Sequence, residues 1–301
     1  MGRIDSLGED ALIARLTADL PSGADVLVGP GDDCAVVRLP SEEGLQLLKT
    51  DCIVESVHFL PDTEAERVGW KAVARVLSDF AAMGGRPDHL LVTLVVSKGC
   101  AVEWVDGLYA GMTRCASRFG ATIVGGECSS VPEGAPAVIS ISGTGKVVEE
   151  QLVLRSGGKP GDLIYVTGRL GGSLLGKHLD FVPRLEEASW LVSQGGVQAM
   201  MDLSDGLAKD LSRLARASGC GFSVREEVIP CNEGVSIEGA IGDGEDYELL
   251  LALDAENANE MASRWSEQFP DLPLTCIGEL IEGDSGELSG GWDHFASSGE
   301  G

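Results

Sequence analysis

Aspartates border apolar segments along this chain, each inside a short motif carrying Gly, Ser or Thr: Gly31-Asp32-Asp33, Thr50-Asp51, Ser78-Asp79 and Asp202-Leu203-Ser204-Asp205. That placement constrains the fold to one carrying these carboxylates at the margins of its core, where they suit a magnesium site with several ligands. Hard divalent cations take oxygen ligands, and magnesium usually joins a few carboxylates to substrate phosphates. Phosphoryl transfer is the reaction class this implies. The competing reading is a solvated surface, since the chain has 48 acidic and 22 basic residues. Ordinary surface acids lie in polar runs such as Glu42-Glu43 and Glu186-Glu187, whereas Asp51 follows the apolar run from Leu45 to Leu48 and precedes Ile53-Val54.

Hydrophobic periodicity gives a mixed α/β chain of two units. Leu12, Leu16 and Leu20 suit an N-terminal helix ended by Pro21-Ser22-Gly23, and a glycine turn at 29–31 precedes Ala35-Val36-Val37. Residues 64–83 carry apolar side chains at near-helical period and stop at Gly84-Gly85-Arg86-Pro87. Strands are expected at 90–96, 121–124 and 137–141, with a helix over 102–119. A turn-rich stretch at 155–161 then opens a second unit. It has strands at 163–167, 199–201, 247–253 and 274–277, a helix near Ser173, one carrying Leu207, Leu211 and Leu214, and one over 255–269. The expected division is an N-terminal ATP- and magnesium-binding domain, 1–147, and a C-terminal α/β domain, 148–301. The Gly-, Ser- and acid-rich tail contains Trp292 and Phe295.

A formal charge of −26 opposes capture of nucleic acid or an anionic membrane, so neither is expected as a partner. Anionic substrates must then be recruited through metal ions or local cations. The eight cysteines have no Cys-x-x-Cys pair and read as small buried hydrophobes of a reducing compartment. No apolar signal core precedes residue 20, and no apolar run is long enough to span a bilayer, so a cytoplasmic location is expected. The start Met1-Gly2-Arg3-Ile4-Asp5-Ser6 fits a myristoylation pattern, one short enough to arise by chance.

Two nucleotide-binding patterns nearly match and fail. Gly171 to Lys177 has P-loop spacing, but His178 stands where a hydroxyl residue should meet magnesium. Gly29-Pro30-Gly31 lacks the third glycine of a dinucleotide fingerprint and is followed by two acids that would repel a pyrophosphate.

The segments GPGDDCAVV (29–37), TDCIVESVHF (50–59), LSDFAAMGGRP (77–87), VGGECSS (124–130), MDLSDGLAKDL (201–211), GEDYELLL (244–251) and GWDHF (291–295) give the chain a resemblance along nearly its whole length. In this order they resemble the thiamine-monophosphate kinases, of the superfamily that includes aminoimidazole ribonucleotide synthetase. The resemblance implies that superfamily's two-domain architecture, a homodimer, and ATP-dependent conversion of thiamine monophosphate to thiamine diphosphate by direct transfer, with no covalent catalytic residue. It also implies ligation of several magnesium ions by Asp32, Thr50, Asp51, Asp79, Glu127, Asp202 and Asp205. Tyr109, Gly126, Glu127, Arg155 and Ser204 would contact ATP, and His58, Glu245 and Trp292 the thiamine substrate. Lys49 stands where the family often has a small hydroxyl residue, Glu127 where it more usually has aspartate, and the 167–201 stretch is shorter than expected. Another enzyme of the superfamily, or a silent binder of nucleotide and metal, would use the same acids.

Each residue has a plainer role open to it. Asp202 and Asp205 share a face three apart, where Ser204 or Asp205 could instead cap the helix. Asp79 shares a polar stripe with Lys71 and Arg75 and could pair with either. Arg155 could fork two phosphate oxygens or be a solvated loop arginine. Trp292 could stack on a cationic ring or anchor packing. His58 could be a satisfied histidine at a strand end, Glu245 could bridge to a metal, and Tyr109 could merely pack beside Val105 and Leu108.

Overall fold

The computed structural model describes residues 9–20, 22–39, 44–284, 286 and 288–293. Gly2, Pro21, Glu42-Glu43, His294 and Phe295, all invoked above, lie outside the described residues.

The helices are α1 (Glu9–Thr17), α2 (Ala65–Ala82), α3 (Val102–Arg118), α4 (Lys177–Asp180), α5 (Leu185–Gln194), α6 (Leu207–Ala217), α7 (Ile237–Gly242) and α8 (Ala255–Gln268). Strands β1 (Val26–Val28), β2 (Ala35–Arg38), β3 (Leu45–Val54), β4 (Arg86–Ser97), β5 (Thr122–Val131) and β6 (Val138–Val147) form one sheet, in the order β1-β2-β3-β6-β4-β5. Only β4 and β5 run parallel, joined by α3 as such a crossover requires. Strands β7 (Leu163–Thr167), β8 (Val197–Asp202), β9 (Gly221–Val224), β10 (Leu249–Leu253) and β11 (Leu274–Ile281) form an antiparallel sheet in the order β8-β10-β7-β11-β9.

The second sheet explains why its strands read as unbroken apolar runs. Ile164, Val166, Met201, Leu250 and Ala252 enter one core with α6, while Tyr165, Met200, Leu249, Leu251 and Leu253 enter another. Successive strand residues point to opposite faces, so a sheet covered on both sides needs apolar side chains at every position. The second of these cores is continuous with that of the first sheet.

Helix α2 joins the two sheets. Fourteen of its 18 residues are buried, and it touches β3, β4, β6, α3, α4, α5 and β8. A helix apolar on nearly every face must be interior. Beyond its first turn, its polar residues Lys71, Arg75 and the pair Ser78-Asp79 recur three or four apart and therefore share one stripe. Against α3 the backbones nearly touch: a Cβ on Gly69 would lie 2.0 Å from the Leu108 carbonyl oxygen, and one on Gly111 1.9 Å from that of Glu66.

Several boundaries differ from the sequence expectation. The strand expected at 247–253 begins only at Leu249, because Glu245 and Tyr247 hold positive φ of 56° and 50°, a left-handed conformation no strand accommodates. The strand expected at 121–124 runs on to Val131 as an edge strand exposed along most of its length. Of the cysteines, Cys34, Cys115 and Cys220 are buried, but Cys52 and Cys128 are exposed, which corrects their reading as uniformly buried hydrophobes. Among the described residues, no helix is long and apolar enough to cross a membrane.

Candidate active site

Strand alternation decides which residues of β3 can act together. Leu45, Leu47, Lys49, Asp51 and Ile53 lie on the face toward α2, and Leu48, Thr50 and Cys52 on the other. Lys49 Nζ accordingly donates to Asp79 Oδ1 at 2.7 Å, and the Arg75 guanidinium clasps Asp51 from Nε at 2.9 Å and Nη2 at 3.3 Å. Asp79 thus pairs with a lysine of β3 rather than with Lys71 or Arg75 of its own helix. Thr50, on the opposite face, shares a hydrogen bond with Ser142 Oγ at 3.0 Å and is not brought to the acids by its side chain.

One residue before Asp79 on α2, Ser78 donates to Asp202 Oδ2 at 2.6 Å, tying the end of β8 to the helix. From the glycine turn before β2 comes Asp33. The result is a buried group, Asp33, Asp79 and Asp202, with one carboxylate oxygen from each lying within 4.8 Å of the others. Asp33 was the residue missed: its neighbour Asp32 was expected to ligate, and the signal was their adjacency. Asp32 also accepts from the Arg155 backbone N–H at 3.1 Å, while Arg155 Nη2 donates to Asp33 Oδ1 at 2.6 Å. Asp33 Oδ2 and Arg155 Nε are buried without a partner.

The electrostatics suit a divalent cation. Burial, reinforced by Asp33, pushes the Asp32 and Asp202 carboxyls up to about 6. Burial likewise drives Asp79 up, against the lowering effect of Lys49 and with the Asp202 and Asp33 charges adding to the rise, while Asp79 and Asp51 together hold the Lys49 ammonium charged despite its own burial. The firmer of these two directions is the charged lysine, since a divalent cation among the acids would reverse their mutual repulsion. An all-carboxylate donor set with an unpartnered buried oxygen fits magnesium.

Beside this group lies a cleft of about 740 Å³ between the two sheets, with Asp32, Asp51, Asp79, Asp202, Ser204, Asp205 and Arg155 on its walls and α1 along its mouth. Ser204 and Asp205 sit in a turn held by Asp210, whose Oδ2 accepts from both backbone N–H groups at 2.9 Å. Neither caps α6, whose N-cap is Gly206. Asp205 instead pairs with Arg213 at 2.6 Å and Lys209 at 3.3 Å.

Behind the cleft lies a cluster that the sequence did not announce. Lys71, with no exposed side-chain surface, donates to the His58 carbonyl at 2.7 Å and Glu245 Oε2 at 2.5 Å, and meets His178 Nδ1 at 2.6 Å. Burial alone would raise the Glu245 carboxyl, but His178, Lys71 and Arg75 hold it down at about 2. Burial pulls Lys71 down to about 8, with Glu245 offsetting part of that fall. His58 and Glu245, both expected at the substrate, therefore meet through Lys71. The Trp292 backbone N–H donates to the Asp205 backbone carbonyl at 2.8 Å and its own carbonyl accepts from Lys209 Nζ at 2.7 Å, placing it beside the acid-bearing turn.

The remaining expected residues lie apart from the cleft walls. Tyr109, on α3, packs against the core. Gly126 and Glu127 lie on β5, where Glu127 accepts from Ser129 at 3.1 Å and a Cβ on Gly126 would fall 1.9 Å from the Val92 carbonyl oxygen. Close strand pairing alone therefore requires Gly126. At the rejected P-loop, the Gly171 and Gly172 N–H groups that would cradle a phosphate donate to Asp246 and Asp243.

Fold and cleft together define a protein of the AIR synthase-related class, whose N-terminal domain pattern matches residues 31–147 and C-terminal domain pattern residues 172–291. Within it, the chain is 35% identical to the thiamine-monophosphate kinase of Rhodopirellula baltica, covering 96% of this chain and 93% of that one. It is 31% identical to that of Aquifex aeolicus, covering 97% and 100%. The chain belongs to the thiamine-monophosphate kinase family. A solved structure of AaThiL complexed with AMPPCP and TMP superposes with a TM-score of 0.83 at 30% identity, covering 98% of this chain and 99% of that one. The hydrogenase maturation protein HypE, in complex with ATP, shares the fold alone, at 21% identity and a TM-score of 0.67 over 89% of this chain and 86% of that one.

Proposed function

We propose that this chain is an ATP-dependent kinase that phosphorylates thiamine monophosphate to thiamine diphosphate by direct in-line transfer. The observation that carries the reading is the buried Asp33–Asp79–Asp202 group at the cleft, with Asp33 Oδ2 unpartnered. A relative bound to AMPPCP, an ATP analogue, and to TMP supports both substrates.

Asp33, Asp79 and Asp202 would hold magnesium, with Asp32, Asp51 and Asp205 beside them on the cleft walls. When bound, the metal screens the phosphates and polarises the transferred group. The chain's own groups do the positioning. Arg155, anchored on Asp33, presents a planar guanidinium suited to two phosphate oxygens. Arg75 keeps Asp51 ionised, and Asp210 fixes the turn that carries Ser204. His58, Glu245 and Trp292 are assigned to the thiamine substrate, with Lys71 and His178 setting the charge and direction of Glu245.

We assign the metal and nucleotide ligands mainly to residues 1–147, with residues 148–301 closing the cleft. Tyr109, Gly126 and Glu127 lie off the cleft of a single copy, so their assignment to ATP goes with a homodimer. Its proposed contact is the outer face of the first sheet, where Leu48, Leu91 and Val124 line an exposed groove of about 400 Å³. Eight unpaired cysteines fit a reducing cytoplasm, and the charge of −26 argues against nucleic-acid or membrane partners.

The test is a product assay with ATP, magnesium and thiamine monophosphate, running free thiamine and aminoimidazole precursors in parallel. Magnesium-dependent thiamine diphosphate is expected. Turnover of a parallel substrate alone would overturn the choice of acceptor, and ATP binding without turnover would leave a silent binder.

A further inference from the structure

Lys49 stands inside the acid group rather than beside it. Strand alternation on β3 points it toward α2, where its ammonium meets Asp79 Oδ1 at 2.7 Å. Asp79 is one of the three carboxylates gathered there, and its side chain is only 8% exposed, which leaves that oxygen little other company. The second oxygen-bearing arm is taken by Ser78 on Asp202, and the third by Arg155 on Asp33, whose other oxygen is unpartnered. The three acids therefore already meet two fixed cations, Lys49 and Arg155. Formally that leaves the group with a single uncompensated negative charge.

A carboxylate oxygen engaged by an ammonium at hydrogen-bond distance cannot give the same lone pair to a metal ion without breaking that contact. Arg155 leaves Asp33 Oδ2 open, so it competes with a cation for charge but not for that oxygen. Lys49 occupies Oδ1 of Asp79 outright and sets a full positive charge against any cation bound through the other oxygen. Its side chain is 23% exposed, on the cleft side, so a displaced ammonium stays within the cleft.

We propose that Lys49 is a built-in counter-cation of the metal site, paired with Asp79 and so weakening the hold of the acids on a divalent cation. The inference rests on the metal reading above and adds a determinant of its affinity. A metal ion that takes Oδ1 displaces the ammonium, and one that takes the other oxygen works against its charge; an ammonium freed from Asp79 is available to an incoming phosphate.

The experiment is a titration of nucleotide-free protein with Mn2+, reading free metal by electron paramagnetic resonance and heat by calorimetry. Wild type is compared with Lys49→Met, which keeps the aliphatic stem, and Lys49→Arg, which keeps the charge. Circular dichroism confirms that each variant is folded. The expected result is Mn2+ affinity at least about tenfold higher in Lys49→Met, with Lys49→Arg close to wild type. Equal affinity in wild type and Lys49→Met would overturn the proposal while leaving the metal site standing. Saturable Mn2+ binding in none of the three, with or without ATP, would bring down the metal reading and this inference with it. If Lys49→Met does not fold, Lys49→Arg and Lys49→Gln carry the comparison, and the neutral glutamine must then show the gain.

Discussion

Replacing Glu245 by Gln should weaken the protein through the charges it leaves behind. The Glu245 carboxylate meets Lys71 Nζ at 2.5 Å, His178 Nδ1 at 2.9 Å and Arg75 Nη1 at 3.7 Å. Its folded pKa of about 2 lies below the ordinary 4.5. At 1.36 kcal/mol per unit, linkage turns that difference into about 3 kcal/mol. With only 17% of the side chain exposed, screening by solvent reduces this little. Because the folded value is the lower one, the contribution is fully present above about pH 4.5 and is lost as the pH falls toward 2. A second route reaches the same size: removing one partner of a buried ion pair typically costs roughly 3–5 kcal/mol. Both figures describe one interaction and do not add. Urea unfolding of Glu245→Gln at pH 7 should therefore show a loss of about 3 kcal/mol. The gap to wild type should narrow steadily as the pH is lowered from about 4.5 toward 2, and narrow again above about 8, where buried Lys71 sheds its proton. A loss below about 1 kcal/mol at pH 7, or one that stays constant with pH, would refute the reasoning.

Asp33→Asn should lower kcat/KM by at least about 100-fold and weaken Mn2+ binding in parallel, since removing a ligand charge forfeits several kcal/mol of transition-state stabilisation; unchanged metal binding would remove Asp33 from the site. Trp292→Ala should raise KM for thiamine monophosphate roughly tenfold while changing KM for ATP less than about twofold, as loss of one ring–cation contact predicts. Equal changes for both substrates would make the tryptophan structural. Leu91→Glu should convert a dimer to monomers in light scattering by placing a charge on the exposed groove of the first sheet, and an unaltered mass would move the dimer contact elsewhere.

Elements with strong periodicity were legible because burial wrote them into the sequence. Helix α2 shows this best, since its apolar rows and glycine stop mark both ends. Strand β3 was legible only in pieces, because Lys49-Thr50-Asp51 interrupts its apolar run to serve the cleft on one face and Ser142 on the other. The start of β10 was misplaced for a related reason: Glu245 and Tyr247 take up left-handed backbone that no propensity for these residues announces. At the site, five aspartates were legible from their motifs, but the choice of Asp33 beside Asp32 depends on how one glycine turn is rotated. Lys71 and Arg75 were legible only as members of a polar stripe with Asp79. Only the second sheet, closing over that stripe, makes them interior.

Helix α1 has no buried residue, yet it lies along the mouth of the cleft. It is fastened by Glu9 to Lys209 at 3.2 Å and by Asp10 to Arg213 at 2.8 Å. Partly exposed pairs of this kind are worth about 0–1 kcal/mol each and fade as salt shortens the reach of charge to about 8 Å. This wall of the cleft is thus held by ion pairs rather than by burial, and its hold depends directly on ionic strength. Entry and exit of small phosphorylated molecules then draw on a local, ionic-strength-dependent equilibrium, while the acids beneath are held by the rigidity of the whole interior.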